Sequence, residues 1–126
     1  MDKIIIRTAG APAPIGPYSQ AVLVGQTLYI SGQICLDPVT GELKNKSIQE
    51  ETQRVMENLK AILEEAKTGF NNVVKTTIFI TDMNQFGAIN EVYGKYFTGD
   101  FPARETVQVA ALPKFVNVEI SMIVIK

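Results

Sequence analysis

The spacing of apolar residues divides this chain into short strands and two helices. Ile4–Arg7, Ala21–Val24 and Thr27–Gln33 predict three strands, and Gly25-Gln26 fits a two-residue hairpin turn between the second and third. Thr8–Ser19 carries prolines at 12, 14 and 17 and glycines at 10 and 16. Such a segment cannot be helical and makes a rigid loop, suited to placing one side chain, Tyr18. Asp37–Gly41 is a turn signal. Beyond Ser47 the period lengthens, and Val55, Met56, Leu59, Ile62, Leu63 and Ala66 fall on one helical face. Ser47 and Glu50 form a capping-box pattern, and Gly69 stops this helix near Lys67. Val73–Thr81 is a β-branched strand. Asp82 and Gln85 open a second helix with a buried stripe of Phe86, Ile89, Tyr93, Tyr96 and Phe97, ended by Gly99-Asp100, and Asn90 lies beside that stripe. The last stretch predicts two strands, Glu105–Ala111 and Val116–Ile125, joined as a hairpin by Leu112-Pro113-Lys114.

This order predicts one α+β domain over residues 1–126, a single mixed sheet with two helices on one face. The other face should then be polar, yet its expected members are mixed: Tyr29, Ser31 and Gln33; Arg104, Thr106 and Gln108; Asn117, Glu119 and Ser121, with Ile123 and Ile125 in the register of Glu119. A surface so poor in charge suits cover by another subunit, and a homo-oligomer with sites near its interfaces is expected.

Composition narrows the chemistry. The 126 residues are 46% hydrophobic and 20% charged, ordinary for a globular protein. Twelve basic residues against 13 acidic ones leave no broad footprint for nucleic acid. No apolar run is long enough for a membrane helix or a signal-peptide core, so a cytoplasmic location is expected. With no histidine and one cysteine, Cys35, there is no intrachain disulfide, no Cys/His zinc site and no His-based triad. Chemistry must come from carboxylates, arginine, lysine, tyrosine, hydroxyls, backbone groups or water. Cys35 reads as an inert thiol.

Arg104 and Glu119 stand out. Glu119 interrupts the apolar series Val116, Val118, Ile120, Met122 and Val124. A carboxylate there is costly unless paired, hydrated or useful. Brought together by the expected hairpin, the two side chains make either a structural salt bridge or a site that holds and hydrolyses a small carboxylate-bearing molecule.

The motifs G-P-Y-S-Q (Gly16–Gln20), Y-I-S-G-Q (Tyr29–Gln33), F-P-A-R-x-x-V-x-V (Phe101–Val109), L-P (Leu112-Pro113) and V-E-I (Val118–Ile120) together resemble the Rid, or YjgF-like, family of reactive intermediate deaminases. The resemblance runs over essentially the whole chain. It implies a chorismate-mutase-like fold, a trimer packed through its sheets with sites in the clefts between subunits, and no cofactor or metal. The implied activity is hydrolysis of enamines and imines such as 2-aminoacrylate and 2-aminocrotonate to 2-keto acids and ammonia, which protects pyridoxal-phosphate enzymes. Position by position, Arg104 matches the arginine that holds the substrate carboxylate and Glu119 the acid near the attacking water. Tyr18, Ser31, Gly32 and Asn90 match pocket residues. Thr106 stands where several members have cysteine, and can offer its backbone N–H. Ser121 stands where many have a second acid. Capture of keto acids without turnover is the main alternative, since it would use the same anchors. Ribonuclease activity fits poorly with a histidine-free chain of net charge −1.

Overall fold

The computed structural model describes residues 2–126, and the strand with the most buried apolar residues, β6 (Val118–Ile125), decides the layout. Val118, Ile120, Met122 and Val124 are all buried. A strand with so complete an apolar face gains most when flanked on both sides and covered. It lies inside a six-stranded sheet of order β1-β2-β3-β6-β4-β5, where β1 is Lys3–Ile6, β2 Ala21–Val24, β3 Thr27–Gln33, β4 Val73–Ile80 and β5 Ala103–Gln108. β6 runs antiparallel to both β3 and β4, and β4 and β5 pair in parallel, so the sheet is mixed. Helix α1 (Ile48–Glu65) packs on β3 and β6 with α2 (Phe86–Gly94) beside it. The core lies between helices and sheet, with Leu28, Val55, Met56, Leu59, Ile62 and Ile78 almost wholly excluded from solvent.

The expected hairpin between the last two strands does not form. β5 is an edge strand, β4 separates it from β6, and the chain from Val109 to Asn117 crosses the end of β4 to reach the centre of the sheet. Local turn chemistry suggested adjacency, but burial favours the polar β5 at the edge and the apolar β6 in the middle. Lys114 and Phe115, both at φ 55°, form the bend of that crossing.

Three further expectations change. Arg104, Thr106 and Gln108 pair with Thr76, Ile78 and Ile80, three residues buried toward the helices, so they share the helix face rather than the open one. Gln33 is also buried on the helix side, because a bulge between Ile30 and Gln33 inserts one residue and reverses the alternation. Helix α2 ends at Gly94, ahead of Tyr96 and Phe97, and its exit tightens through i→i−3 bonds from Lys95, Tyr96 and Phe97. Its start is a short 3₁₀ turn, Met83–Gln85, in which Asp82 accepts from the Asn84 N–H at 3.0 Å. The other helix keeps its expected N-cap: Ser47 Oγ accepts from the Glu50 N–H at 3.0 Å.

The open face carries Tyr29, Lys75, Thr77, Phe79, Glu105, Val107, Glu119, Ser121 and Ile123, a mixture of apolar and polar groups. Among the described residues, no helix is long and apolar enough to cross a membrane.

The loop from Thr8 to Ser19 is organised by one buried side chain. Gln20 Nε2 donates to the carbonyls of Thr8, Ala11 and Pro12 at 3.0, 3.3 and 2.9 Å, and its Oε1 accepts from the Thr8 N–H at 2.8 Å. Replacing Gln20 by Leu strands these backbone groups. We expect Gln20→Leu to lose about 2–4 kcal/mol of stability in denaturant titration, with earlier proteolysis between residues 8 and 19.

Candidate active site

Two half-sites emerge, built from opposite faces of the sheet. The first is at the β5 edge. Arg104 leaves β5 toward α2, where Nη1 donates to Asn90 Oδ1 at 2.7 Å. Its guanidinium carbon lies 5.4 Å from the centre of the Phe86 ring and 5.3 Å from that of Tyr93. Tyr93 is held from behind by Thr76, hydroxyl to hydroxyl at 2.8 Å. Aromatic contact and one amide oxygen orient the cation without neutralising it. Among the described residues no carboxylate pairs with it, since the two ion pairs are Lys44–Glu42 and Lys75–Glu105. Asn90, Tyr93, Gly94, Phe101, Pro102 and Arg104 line an open cleft of about 320 Å³. Val109 N–H donates to the Ile80 carbonyl at 2.8 Å, which sets the phase of the parallel ladder. With a period of two, the N–H groups of Arg104, Thr106 and Gln108 then face the free edge of the sheet. Thr106 Oγ1 is buried and has no partner among the described residues.

The second half-site faces the other way. Glu119 leaves β6 on the open face and lies against Gly32 at the β3 bulge. A Cβ at Gly32 would stand 2.5 Å from Glu119 Oε2, so glycine is what lets the carboxylate lie across the strand. Ser31 Oγ donates to the Ser19 carbonyl, and the Ser31 N–H donates to the Gln20 carbonyl at 2.9 Å, tying the rigid loop to β3. Tyr18 is exposed, with its hydroxyl accepting from the Ile15 N–H at 3.2 Å. Ile15, Tyr18, Ser31, Gly32, Pro113 and Glu119 line a cleft of about 270 Å³. Partial burial raises the Glu119 pKa above its ordinary value, and no cation among the described residues opposes the shift.

The structure therefore brings together Tyr18, Ser31, Gly32 and Glu119 on one side, and Asn90, Thr106 and Arg104 on the other. It does not join the two sets. Arg104 is in register with Thr76 and Glu119 with Phe79, three positions further along β4. Two strand spacings and three residue rises put their Cα atoms about 14 Å apart, and their side chains leave opposite faces. The intrachain salt bridge considered from sequence is excluded by this geometry. Phe86 and Tyr93, read from sequence only as core, are also the seat of the guanidinium. Gln20 and Pro113 were visible in the quoted motifs but carried no signal of their roles. Cys35 is buried, and burial together with the negative charge of Glu51 pushes its thiol up to about 11, so it is inert as expected.

The fold and these two clefts define a small α+β protein of one structural family. The Endoribonuclease L-PSP family matches residues 8–126, and the chain belongs to it; this is the Rid or YjgF-like family. The mouse protein named 2-iminobutanoate/2-iminopropanoate deaminase is 52% identical over 122 residues, covering 97% of this chain and 90% of its own. A RutC family protein of Pyrococcus abyssi is 51% identical over 126 residues, covering 100% of this chain and 99% of its own. The crystal structure of E. coli TdcF with bound serine superposes with a TM-score of 0.94 at 43% identity, covering 98% of each chain.

The raised pKa of Glu119 makes a prediction about stability. Protonated Glu119 is favoured in the folded state, so its contribution is fully present below the unfolded carboxylate pKa and is lost as pH rises through the raised folded value. Glu119→Gln should therefore be more stable relative to the unsubstituted protein at pH 7 than at pH 4, measured by urea unfolding at matched protein concentration.

Proposed function

We propose that this chain is a cofactor-independent deaminase, a hydrolase acting on C=N bonds, that converts 2-iminobutanoate, 2-iminopropanoate and their enamine tautomers to 2-keto acids and ammonia. The observation that carries the reading is the division of labour between the half-sites: an unneutralised arginine on one edge and an unpaired, partly buried carboxylate on the opposite face. Neither suffices alone, and one chain cannot apply both to a three- or four-carbon acid. A second copy that seats its Arg104 cleft against the Glu119 cleft of the first completes the site. We therefore read the working unit as a cyclic homo-oligomer, a trimer by resemblance, with one shared site per interface. Its mixed open face suits that assembly, and the cytoplasm is where we place it.

In this arrangement the Arg104 fork binds the substrate carboxylate with two parallel N–H···O bonds, and the edge N–H of Thr106 adds a third donor. Asn90, Phe86 and Tyr93 keep the guanidinium in place. The enamine first takes a proton from water at carbon and gives one up to water from nitrogen, becoming the imine. Glu119 then accepts a proton from water as the water oxygen bonds to C2. That proton goes on to the nitrogen, forming a tetrahedral aminohydrin. As the carbonyl reforms, Glu119 takes the hydroxyl proton and passes it to the nitrogen, the C–N bond breaks and ammonia leaves. Partial burial, by raising its pKa, makes Glu119 a stronger base than an exposed carboxylate. Tyr18 and Ser31 bound the water side, and the hydroxyl of Tyr18 is placed to steer it. Imines already hydrolyse in water, so a positioned base worth about a hundred- to ten-thousand-fold is enough.

Keto-acid capture without turnover would use the same Arg104 cleft, and the unpaired Glu119 favours catalysis over it. An RNA-cleaving role, which the family description carries, is disfavoured by a net charge of −1 and the lack of histidine.

The test couples a threonine or serine dehydratase to the protein and follows enamine absorbance and ammonia release. We expect Arg104→Ala to abolish acceleration, and Arg104→Lys to fail as well because a point charge lacks the fork. Glu119→Gln should lose turnover but keep keto-acid binding. Mixed and reassembled, Arg104→Ala and Glu119→Gln chains should recover about a quarter of full activity, since random assembly completes that share of two-chain sites. No recovery on mixing would place both groups in one chain and overturn the shared site. Unchanged kinetics in Arg104→Ala would overturn the function.

A further inference from the structure

A second carboxylate, Glu51, is fully buried on the helix side of the sheet and takes no part in the steps above. Its Oε2 accepts from the backbone N–H groups of Asn117 and Val118 at 2.7 and 3.0 Å, and its Oε1 accepts from Asn117 Nδ2 at 2.8 Å. No cation pairs with it among the described residues. It sits in the first turn of α1, where the helix dipole favours negative charge. A buried carboxylate with three neutral donors is an expensive way to satisfy two amides, and it calls for a reason beyond packing.

We propose that Glu51 is a positioning residue for Glu119, clamping the start of β6 so that the Glu119 carboxylate is held over the bound substrate; the proposal rests on the deaminase reading above. β3 leaves the ladder at Gln33, opposite Ile120, so the residues of β6 before Ile120 have no β3 neighbour. Glu51 stands in for the missing strand. On the other side the Thr81 N–H donates to the Asn117 carbonyl at 3.1 Å. Upstream, Val116 is buried in the core, but Lys114 and Phe115 before it have positive φ and the Phe115 side chain is 86% exposed. β4 pairs with this stretch throughout, Phe79 with Glu119 and Ile80 with Val118; on the β3 side Glu119 is held between the last rung at Ile120 and the Glu51 clamp at Val118. Gly32, which packs on the carboxylate, belongs to the same bulge that ends the β3 ladder. A small movement of the Val118 backbone transfers directly to Glu119, while Arg104, on the far edge and the other face, is untouched.

The test separates turnover from anchoring. In Glu51→Leu the two amides lose their acceptor, and kcat for imine hydrolysis should fall about ten- to a hundredfold, as expected for a catalytic group misplaced by about 1 Å. KM should stay within about twofold, because the carboxylate anchor is unchanged. Glu51→Gln keeps an oxygen acceptor for both backbone N–H groups and should restore kcat to within about threefold of the unsubstituted protein. Hydrogen exchange at the Asn117 and Val118 amides should quicken in Glu51→Leu and not in Glu51→Gln. If Glu51→Leu does not fold, Glu51→Asp, which withdraws the acceptor by one methylene, takes its place with the same expected split. Full kcat in a folded Leu or Asp variant, a loss that tracks only the folded fraction, or a Gln variant as poor as the Leu variant would each overturn the proposal. A fully active Glu51→Leu beside a fully active unsubstituted protein removes this inference alone, whereas an unsubstituted protein without imine hydrolysis removes the deaminase reading and this inference together.

Discussion

Burial of the alternate residues of β6 is the constraint from which the rest follows. Val118, Ile120, Met122 and Val124 need cover above and strands on both sides, and the slot between β3 and β4 provides both. Once that face is buried, the pleat sends Glu119 to the other face. The same demand pushes β5 out to the edge, because a strand reading Ala-Arg-Glu-Thr-Val-Gln has no comparable apolar face to bury. The separation of the arginine from the glutamate is therefore a consequence of core formation, and one chain cannot turn both groups onto a single small ligand.

The charges show the same division. Arg104 is oriented by two aromatic rings and an amide oxygen, none of which cancels its charge. Glu119 is partly desolvated with no cation beside it among the described residues. Each is an unfinished interaction, and the two deficits are complementary to a small anionic substrate carrying a hydrolysable C=N bond. The fold tolerates them because each lies at a cleft, where water supports the charge until a ligand or a neighbouring chain replaces it.

Polar side chains of modest size tie down the elements around the Glu119 half-site. Gln20 gathers four backbone groups of the proline-rich loop, and Ser31 ties that loop to the β3 bulge. Glu51 does the same for the start of β6. Asn58 Nδ2 reaches the carbonyls of Ile34 and Leu36 at 3.1 and 3.0 Å, securing the segment that follows the bulge. These residues substitute for ladder partners where the sheet is irregular, and the β3 bulge among those places carries the Glu119 cleft.

Much of this was legible from the residues alone. Periodicity determined the strands, the long helix with its Ser47 cap, the Gly25-Gln26 turn and the α+β class, because these depend on contacts a few residues apart. The charge pattern of the last two strands singled out Arg104 and Glu119, and motif agreement indicated the family. What the tertiary structure decided was which strands are neighbours and which face each side chain takes. The supposed hairpin failed because a turn signal at Leu112-Pro113-Lys114 reports local bending and not the partner of the strand that follows. Gln33 changed faces because one inserted residue at a bulge reverses a period of two. The roles of Gln20 and Glu51 were invisible because their partners lie on other elements, and competition among elements for the one buried centre of the sheet is settled only when the whole chain folds.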